Sequence, residues 1–135
     1  QTVVLIKPDG FAKHVVGQII DRFEREGLTL KALKLSKLTK EILDVWYAHI
    51  ADKPFYPSIV ADMTATPVVA MILESEGAIQ KVFDLCGPTD PTVAPEGTIR
   101  KAFGESKAHN VVHRSDSQEA AAKEIGLLFS ASEVF

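Results

Sequence analysis

Thr2 to Ile6 forms an unbroken β-branched and apolar run that stops at Lys7-Pro8-Asp9-Gly10, a cluster of turn formers. This pattern predicts a buried strand with Lys7 at its mouth. Val16, Ile19, Ile20 and Phe23 recur at helical spacing and Gly27 closes the segment, which predicts an amphipathic helix over 15–26. Leu28, Leu30, Ala32, Leu33 and Leu35 then mostly alternate with polar residues, as in a half-buried strand over 29–37. After a Thr39 cap, Ile42, Val45, Trp46, His49 and Ile50 form one apolar stripe, with Tyr47 at its edge. A short second helix over 55–62 is expected after Pro54.

Pro67 to Glu74 predicts another strand, and Ala78, Val82, Phe83, Leu85 and Cys86 a helix ending at Gly87. Three prolines between Pro88 and Gly97 mark an ordered loop. Thr98 to Phe103 fits a helical turn and Asn110-Val111-Val112-His113 a short strand. Ser115-Asp116-Ser117 supplies caps for a last helix whose stripe is Ala121, Ile125 and Leu128. The resulting order, βαβααβαβα, predicts an α/β sandwich.

With 135 residues the chain has room for one compact domain, 1–135. Apolar residues make up 46% and charged ones 24%, which excludes wholesale disorder. The net charge of −3 provides no global cationic field, so no stable nucleic-acid complex is expected. The longest apolar run, Val68 to Leu73, is far short of the roughly 20 residues a membrane helix needs. Cys86 is the only cysteine, which removes any internal disulfide and points to a reducing, cytoplasmic location. Gln1 begins the chain without a secretory-type leader, and the missing methionine points to a trimmed start.

Common sites fail by inspection. Neither G-x-G-x-x-G nor G-x-x-x-x-G-K-[ST] is present, and Gly104-Glu105-Ser106-Lys107-Ala108 lacks the second glycine of a nucleophile elbow. His109 and His113 have the spacing of a helical metal pair, but Val111 and Val112 favour extended backbone, which separates the rings by about 13 Å. The informative segment is Asn110 to Ser117, where His113 ends a strand just before a capped helix. A helix N-terminus favours anions, and an imidazole largely unprotonated near neutrality can attack phosphorus without a separate base. Glu124, on the inward edge of the last stripe, needs a partner, and Ser115 or the His113 imidazole would provide one. Taken alone, these residues also read as a satisfied strand-end histidine and a solvated helix glutamate.

The segment Asn110-Val111-Val112-His113-Arg114-Ser115-Asp116 resembles the active-site pattern N-x-x-H-x-S-D of the nucleoside diphosphate kinases. Further segments match that family in order: Ile6 to Gly10, Tyr47, Lys53 to Tyr56, Thr66 to Ala70, Gly87 to Thr89, Gly97 to Arg100 and Glu124 to Gly126. The resemblance spans about Val3 to Phe129. It implies a ferredoxin-like α/β (α+β) sandwich with an antiparallel central sheet flanked by helices. It also implies ping-pong transfer of a γ-phosphate between nucleoside tri- and diphosphates through a phosphohistidine at His113, with Mg²⁺ carried in on the nucleotide and no protein-held metal. Lys7 would neutralise the transferred group and reach the sugar, Tyr47 would steer the γ-phosphate, and Arg100 and Thr89 would hold the other phosphates. Asn110 would bind the ribose, Phe55 would stack on the base with Ile59 beside it, and Ser115 and Glu124 would fix the ring. Apolar base contacts imply little base selectivity, and a homo-oligomer, hexamer or tetramer, is implied, with the Pro88 to Gly97 loop helping subunit contact.

Each of these residues has a plainer reading as well. Phe55 and Ile59 suit a core or interface, Lys7 and Arg100 an exposed surface, Tyr47 a stripe edge, and Thr89 and Asn110 loop hydrogen bonding. Two positions depart from the family pattern: Phe83 replaces a phosphate-contacting arginine, and Arg114 replaces a small residue after the histidine. The expectation is that Arg114, or Lys81, restores the lost phosphate contact. The competing function is a nucleotide-binding regulatory or scaffolding paralogue with weak or no turnover, because Arg114 could instead obstruct the pocket. A small-molecule sensor domain on the same sandwich is a third class, one that would not require a histidine beside a helix cap.

Overall fold

The computed structural model describes all residues, 1–135. The elements run β1 (Thr2–Ile6), α1 (Pro8–Ala12), α2 (Val16–Arg25), β2 (Thr29–Ser36), α3 (Lys40–Trp46), α4 (Tyr56–Thr64), β3 (Val68–Glu74), α5 (Ala78–Cys86), α6 (Ile99–Phe103), β4 (Val112–Arg114) and α7 (Gln118–Leu128). Short 3₁₀ turns cover Pro91–Val93 and Ala131–Glu133. The strands form one sheet in the order β2-β3-β1-β4, and every adjacent pair is antiparallel.

Helices cover both faces of this sheet, which explains why β1 and β3 read as continuous apolar runs rather than alternating ones. On one face Val4, Ile6, Met71 and Leu73 pack with Ile19 and Phe23 of α2 and Val82 and Cys86 of α5. On the other, Val3, Leu5, Ala70 and Ile72 pack with Leu43 and Trp46 of α3, Tyr56 and Met63 of α4, and Leu128 of α7. The expected α/β sandwich with an antiparallel central sheet is the fold observed. No helix is long and apolar enough to cross a membrane.

The sequence pattern misplaces three boundaries. Pro8–Ala12, expected as a turn, forms a short helix, because proline's fixed φ suits a first helical turn. The stripe after Thr39 leaves the α-helix at Trp46, so His49 and Ile50 lie beyond it. There Ile50, Lys53 and Tyr56 each donate to the carbonyl three residues back, in a run of tight turns. The last strand begins at Val112 rather than Asn110, because Val111 has a left-handed backbone with φ 65°.

Candidate active site

Four segments meet at the end of the sheet where β1 and β4 lie side by side. The Lys7-Pro8-Asp9-Gly10 segment, which opens α1, fixes the first pair of them. Lys7 N donates to the Val111 carbonyl at 2.8 Å, and Asp9 Oδ2 accepts from Val111 N at 3.0 Å. Gly10 is obligatory here, since an added Cβ would stand 2.9 Å from that same carbonyl. Together these contacts hold Val111 in a conformation that costs a β-branched residue on the order of 1–3 kcal/mol. The strained residue turns the chain between Asn110 and His113.

Asn110 is buried, and both ends of its amide are engaged. Its Oδ1 accepts from Lys7 Nζ at 2.9 Å, and its Nδ2 donates to the Thr89 carbonyl at 3.0 Å. Lys7 Nζ also donates to the Ala108 carbonyl at 3.1 Å. Arg100 on α6 is buried as well and donates to the carbonyls of Gly87 and Val112 at 3.0 and 2.8 Å, leaving Nε without a partner. Burial holds the Lys7 ammonium below the ordinary lysine value; Asp9 and Asp62 oppose the shift, and the nearby Arg100 adds to it. Burial likewise lowers Arg100.

His113 is on the middle residue of β4, facing α3 and α7, and pairs with Leu5 of β1. Its Nε2 is 3.0 Å from Glu124 Oε2, and its side chain is 21% exposed, so one side of the ring remains open. Glu124 takes two further bonds: Ser115 Oγ donates to Oε1 at 2.6 Å and Trp46 Nε1 donates to Oε2 at 3.1 Å. Val3 N donates to Ser115 Oγ at 3.1 Å, which leaves the hydroxyl proton for Glu124. Burial alone would push the Glu124 carboxyl up, but the donors His113, Ser115 and Trp46 outweigh it and hold it below the ordinary carboxylate value. An indole N–H can only donate. Oε2 is therefore an acceptor for both N–H groups, so His113 donates from Nε2 and Nδ1 is the ring nitrogen that Glu124 does not engage.

The ring borders a cavity of about 570 Å³ lined by Lys7, Tyr47, Phe55, Ser58, Ile59, Asp62, Met63, Arg100, Lys107, Ala108, Asn110, Val112 and His113. Its walls carry the cations Lys7, Arg100 and Lys107 against the single carboxylate of Asp62. The electrostatics of this site are thus opposite in sign to those of the whole chain. Burial, followed by the Glu124 charge, pushes the Tyr47 hydroxyl up to about 12, so it stays a neutral donor at the cavity wall. Phe55 is 53% exposed at the open side, with Ile59 beside it on α4.

Of the residues singled out in the sequence, Lys7, Tyr47, Phe55, Ile59, Arg100, Asn110 and His113 share this cavity. Ser115 and Glu124 sit behind the ring, and Thr89 stays outside, supporting Asn110 through its carbonyl. The expected phosphate contact from Arg114 has no counterpart in the cavity wall. Alternation along β4 turns Arg114 to the opposite face, where its guanidinium lies 4.0 Å over the Phe83 ring and Nη1 donates to Asp116 Oδ1 at 2.8 Å. Lys81, exposed on α5, does not line the cavity either. No group of three or more His, Cys, Asp or Glu side chains forms a metal-holding cluster.

Sequence reasoning missed Trp46 and Asp9 as parts of the site. In the sequence Trp46 stands only as one member of an apolar stripe. A buried indole N–H needs an acceptor, and the inward position of Glu124 was the available signal. Asp62 and Lys107 lack any pattern that would have placed them at the cavity wall.

A sequence model of the nucleoside diphosphate kinase family matches residues 1–134. Relatives named nucleoside diphosphate kinase include one from Staphylothermus marinus, 48% identical over 99% of this chain and 95% of its own length. Another, from Pasteurella multocida, is 44% identical over 100% of this chain and 97% of its own. Among solved structures, the Aquifex aeolicus nucleoside diphosphate kinase superposes with a TM-score of 0.93 at 41% identity, covering 99% of this chain and 97% of that one. A Halobacterium salinarum nucleoside diphosphate kinase in complex with CDP superposes with a TM-score of 0.95 at 37% identity, covering 99% and 90%. A cavity-facing imidazole backed by a buried carboxylate, on a fold shared over nearly the full length of these proteins, places the chain in the nucleoside diphosphate kinase family.

Proposed function

We propose that this protein is a phosphotransferase that moves the γ-phosphate of a nucleoside triphosphate to a nucleoside diphosphate by way of a phosphohistidine at His113. The observation that carries the reading is the His113 ring, which donates from Nε2 to Glu124 at 3.0 Å and borders a cavity lined by Lys7 and Arg100. In the first half-reaction the Nδ1 lone pair forms an N–P bond. The bond from γ-phosphorus to the bridging oxygen breaks, and its electron pair leaves with the diphosphate. The ring gains positive charge opposite Glu124 and keeps its single N–H, so no general base is needed. In the second half-reaction a terminal oxygen of another diphosphate attacks phosphorus, and the N–P pair returns to Nδ1.

Phosphoryl transfer asks a protein mainly for positioning and charge neutralisation. Lys7 and Arg100 supply the charge, Tyr47 orients the transferred group, and Asn110 with Lys7 holds the sugar. Phe55 and Ile59 offer the base an apolar contact with little discrimination, and Thr89 with Ser115 fixes Asn110 and Glu124. Mg²⁺ belongs to the substrate, bound to the nucleotide phosphates. A soluble cytoplasmic homo-oligomer, hexamer or tetramer, is the assembly we favour. Leu33, Leu35 and Val93 are exposed apolar residues that subunit contacts would cover. Incubation with γ-labelled ATP and Mg²⁺ tests the function: the protein should acquire acid-labile, alkali-stable phosphate that ADP removes, and His113→Ala should acquire none. Unlabelled wild-type protein that still binds nucleotide would favour the regulatory reading instead.

A further inference from the structure

The buried carboxylate behind His113 is shared with a side chain from a distant helix. Trp46 closes α3, 78 positions from Glu124, and makes three contacts at once. Its Nε1 donates to Glu124 Oε2, the oxygen that also faces His113 Nε2. Its ring meets the imidazole edge to face, with centroids 4.8 Å apart at 87°. Its other side stacks on Tyr47 at 5.2 Å and 13°.

We propose that Trp46 is a positioning residue for phosphoryl transfer, dividing the Glu124 charge between the indole and the imidazole and fixing the plane of the ring. The proposal rests on the phosphohistidine reading and deepens it. A carboxylate oxygen that accepts two N–H donors offers each of them less charge than it offers one alone. With the indole bond in place, Glu124 orients His113 without holding the imidazolium too firmly. That matters in both half-reactions. Excess stabilisation of the cation keeps a proton on Nδ1 and blocks attack, and the same excess makes the phosphorylated ring a poorer donor. The edge-to-face contact restricts ring rotation and keeps Nδ1 aimed at the cavity.

Trp46→Phe removes the N–H donor while keeping an aromatic ring against Tyr47 and His113. The ionisable groups that share the cavity with His113 are Lys7, Tyr47, Asp62, Arg100 and Lys107, with the charges of Tyr56 and Asp116 acting on Tyr47, and the substitution leaves all of them in place. The expected result is transfer from the phosphohistidine to ADP slowed roughly tenfold, the scale of one lost hydrogen bond to a charged group. The acidic limb of phosphohistidine formation should move to higher pH, because an undivided Glu124 charge favours the protonated ring. KM for the nucleotide should stay unchanged, because Trp46 does not line the cavity. A variant with wild-type rate and pH profile overturns the proposal while His113→Ala, still unlabelled, leaves the phosphohistidine reading standing. Labelling that persists in His113→Ala overturns both.

If Trp46→Phe does not fold, the unsubstituted protein decides. Trp46 is the only tryptophan, so intrinsic fluorescence reports on this contact alone. Emission should change on adding Mg·ATP, return on adding ADP, and stay constant in His113→Ala. Emission that does not follow phosphorylation in the wild type overturns the proposal.

Discussion

His113 and Arg114 are consecutive residues of β4, and they have opposite surroundings. His113 faces α3 and α7, where a carboxylate, a hydroxyl and an indole form a closed hydrogen-bond network behind a ring that is open to the cavity. Arg114 faces α5, where its guanidinium covers Phe83, pairs with the exposed Asp116 and leaves Nε unpartnered. The first side chain is held at the cavity, and the second is packed as structure. The difference teaches that the two departures from the family pattern, Phe83 and Arg114, are partners of one another. They fill one contact on the far face of the sheet, and neither side chain reaches the cavity.

Glu124→Gln breaks the active side of this comparison hardest. The amide keeps the size of the carboxylate but loses its charge, and its NH₂ opposes donors already aimed at it. Phosphohistidine formation should fall by roughly a hundredfold, at the lower end of what positioned acid–base groups contribute, as measured by rapid-quench labelling. A rate within a few-fold of wild type would show that the ring is oriented by packing alone.

Phe83→Arg tests whether the site is one cation short. Because Arg114 is turned away, the added guanidinium should tighten diphosphate binding about tenfold, equivalent to roughly 1.4 kcal/mol. Calorimetric titration reads it directly. An unchanged affinity would mean that α5 in this chain does not reach the phosphates. The smallest effect is expected from Arg114→Ala, which removes the contact over Phe83. Stability should drop by about 1–2 kcal/mol in denaturant unfolding, while turnover is unaltered. A large loss of turnover would instead place Arg114 in the reaction.

Most secondary elements were legible because their cues are local. β1 and β3 are short apolar runs ended by turn formers, α2 has a 3.6-residue stripe closed by Gly27, and α7 begins at the Ser117 cap. Two of the misread stretches, Pro8–Ala12 and the tight turns after Trp46, follow local geometry that an apolar pattern does not register, and the third is set by a distant contact. Val111 reads as a strand residue by propensity, yet Asp9 and Lys7, more than 100 positions away, hold it left-handed. The site divides along the same line. His113, Ser115 and Asn110 sit in one contiguous motif, whereas Trp46 enters through a hydrogen bond spanning 78 positions.

By itself, the sequence determined the alternation of strands and helices, the apolar faces they bury, and the two segments, Lys7 to Gly10 and Asn110 to Ser117, that bring Lys7, Asn110 and His113 to the cavity. Local spacing and turn chemistry suffice for those. Only the tertiary structure decided which face of β4 each side chain takes, because the register Leu5↔His113 and Val4↔Arg114 is fixed by burial on both sides of the sheet. It alone added the Trp46 indole to the expected Ser115 and His113 at the Glu124 carboxylate, since a buried charge is stabilised by whichever partners folding brings within hydrogen-bonding distance, however far apart they lie in the chain.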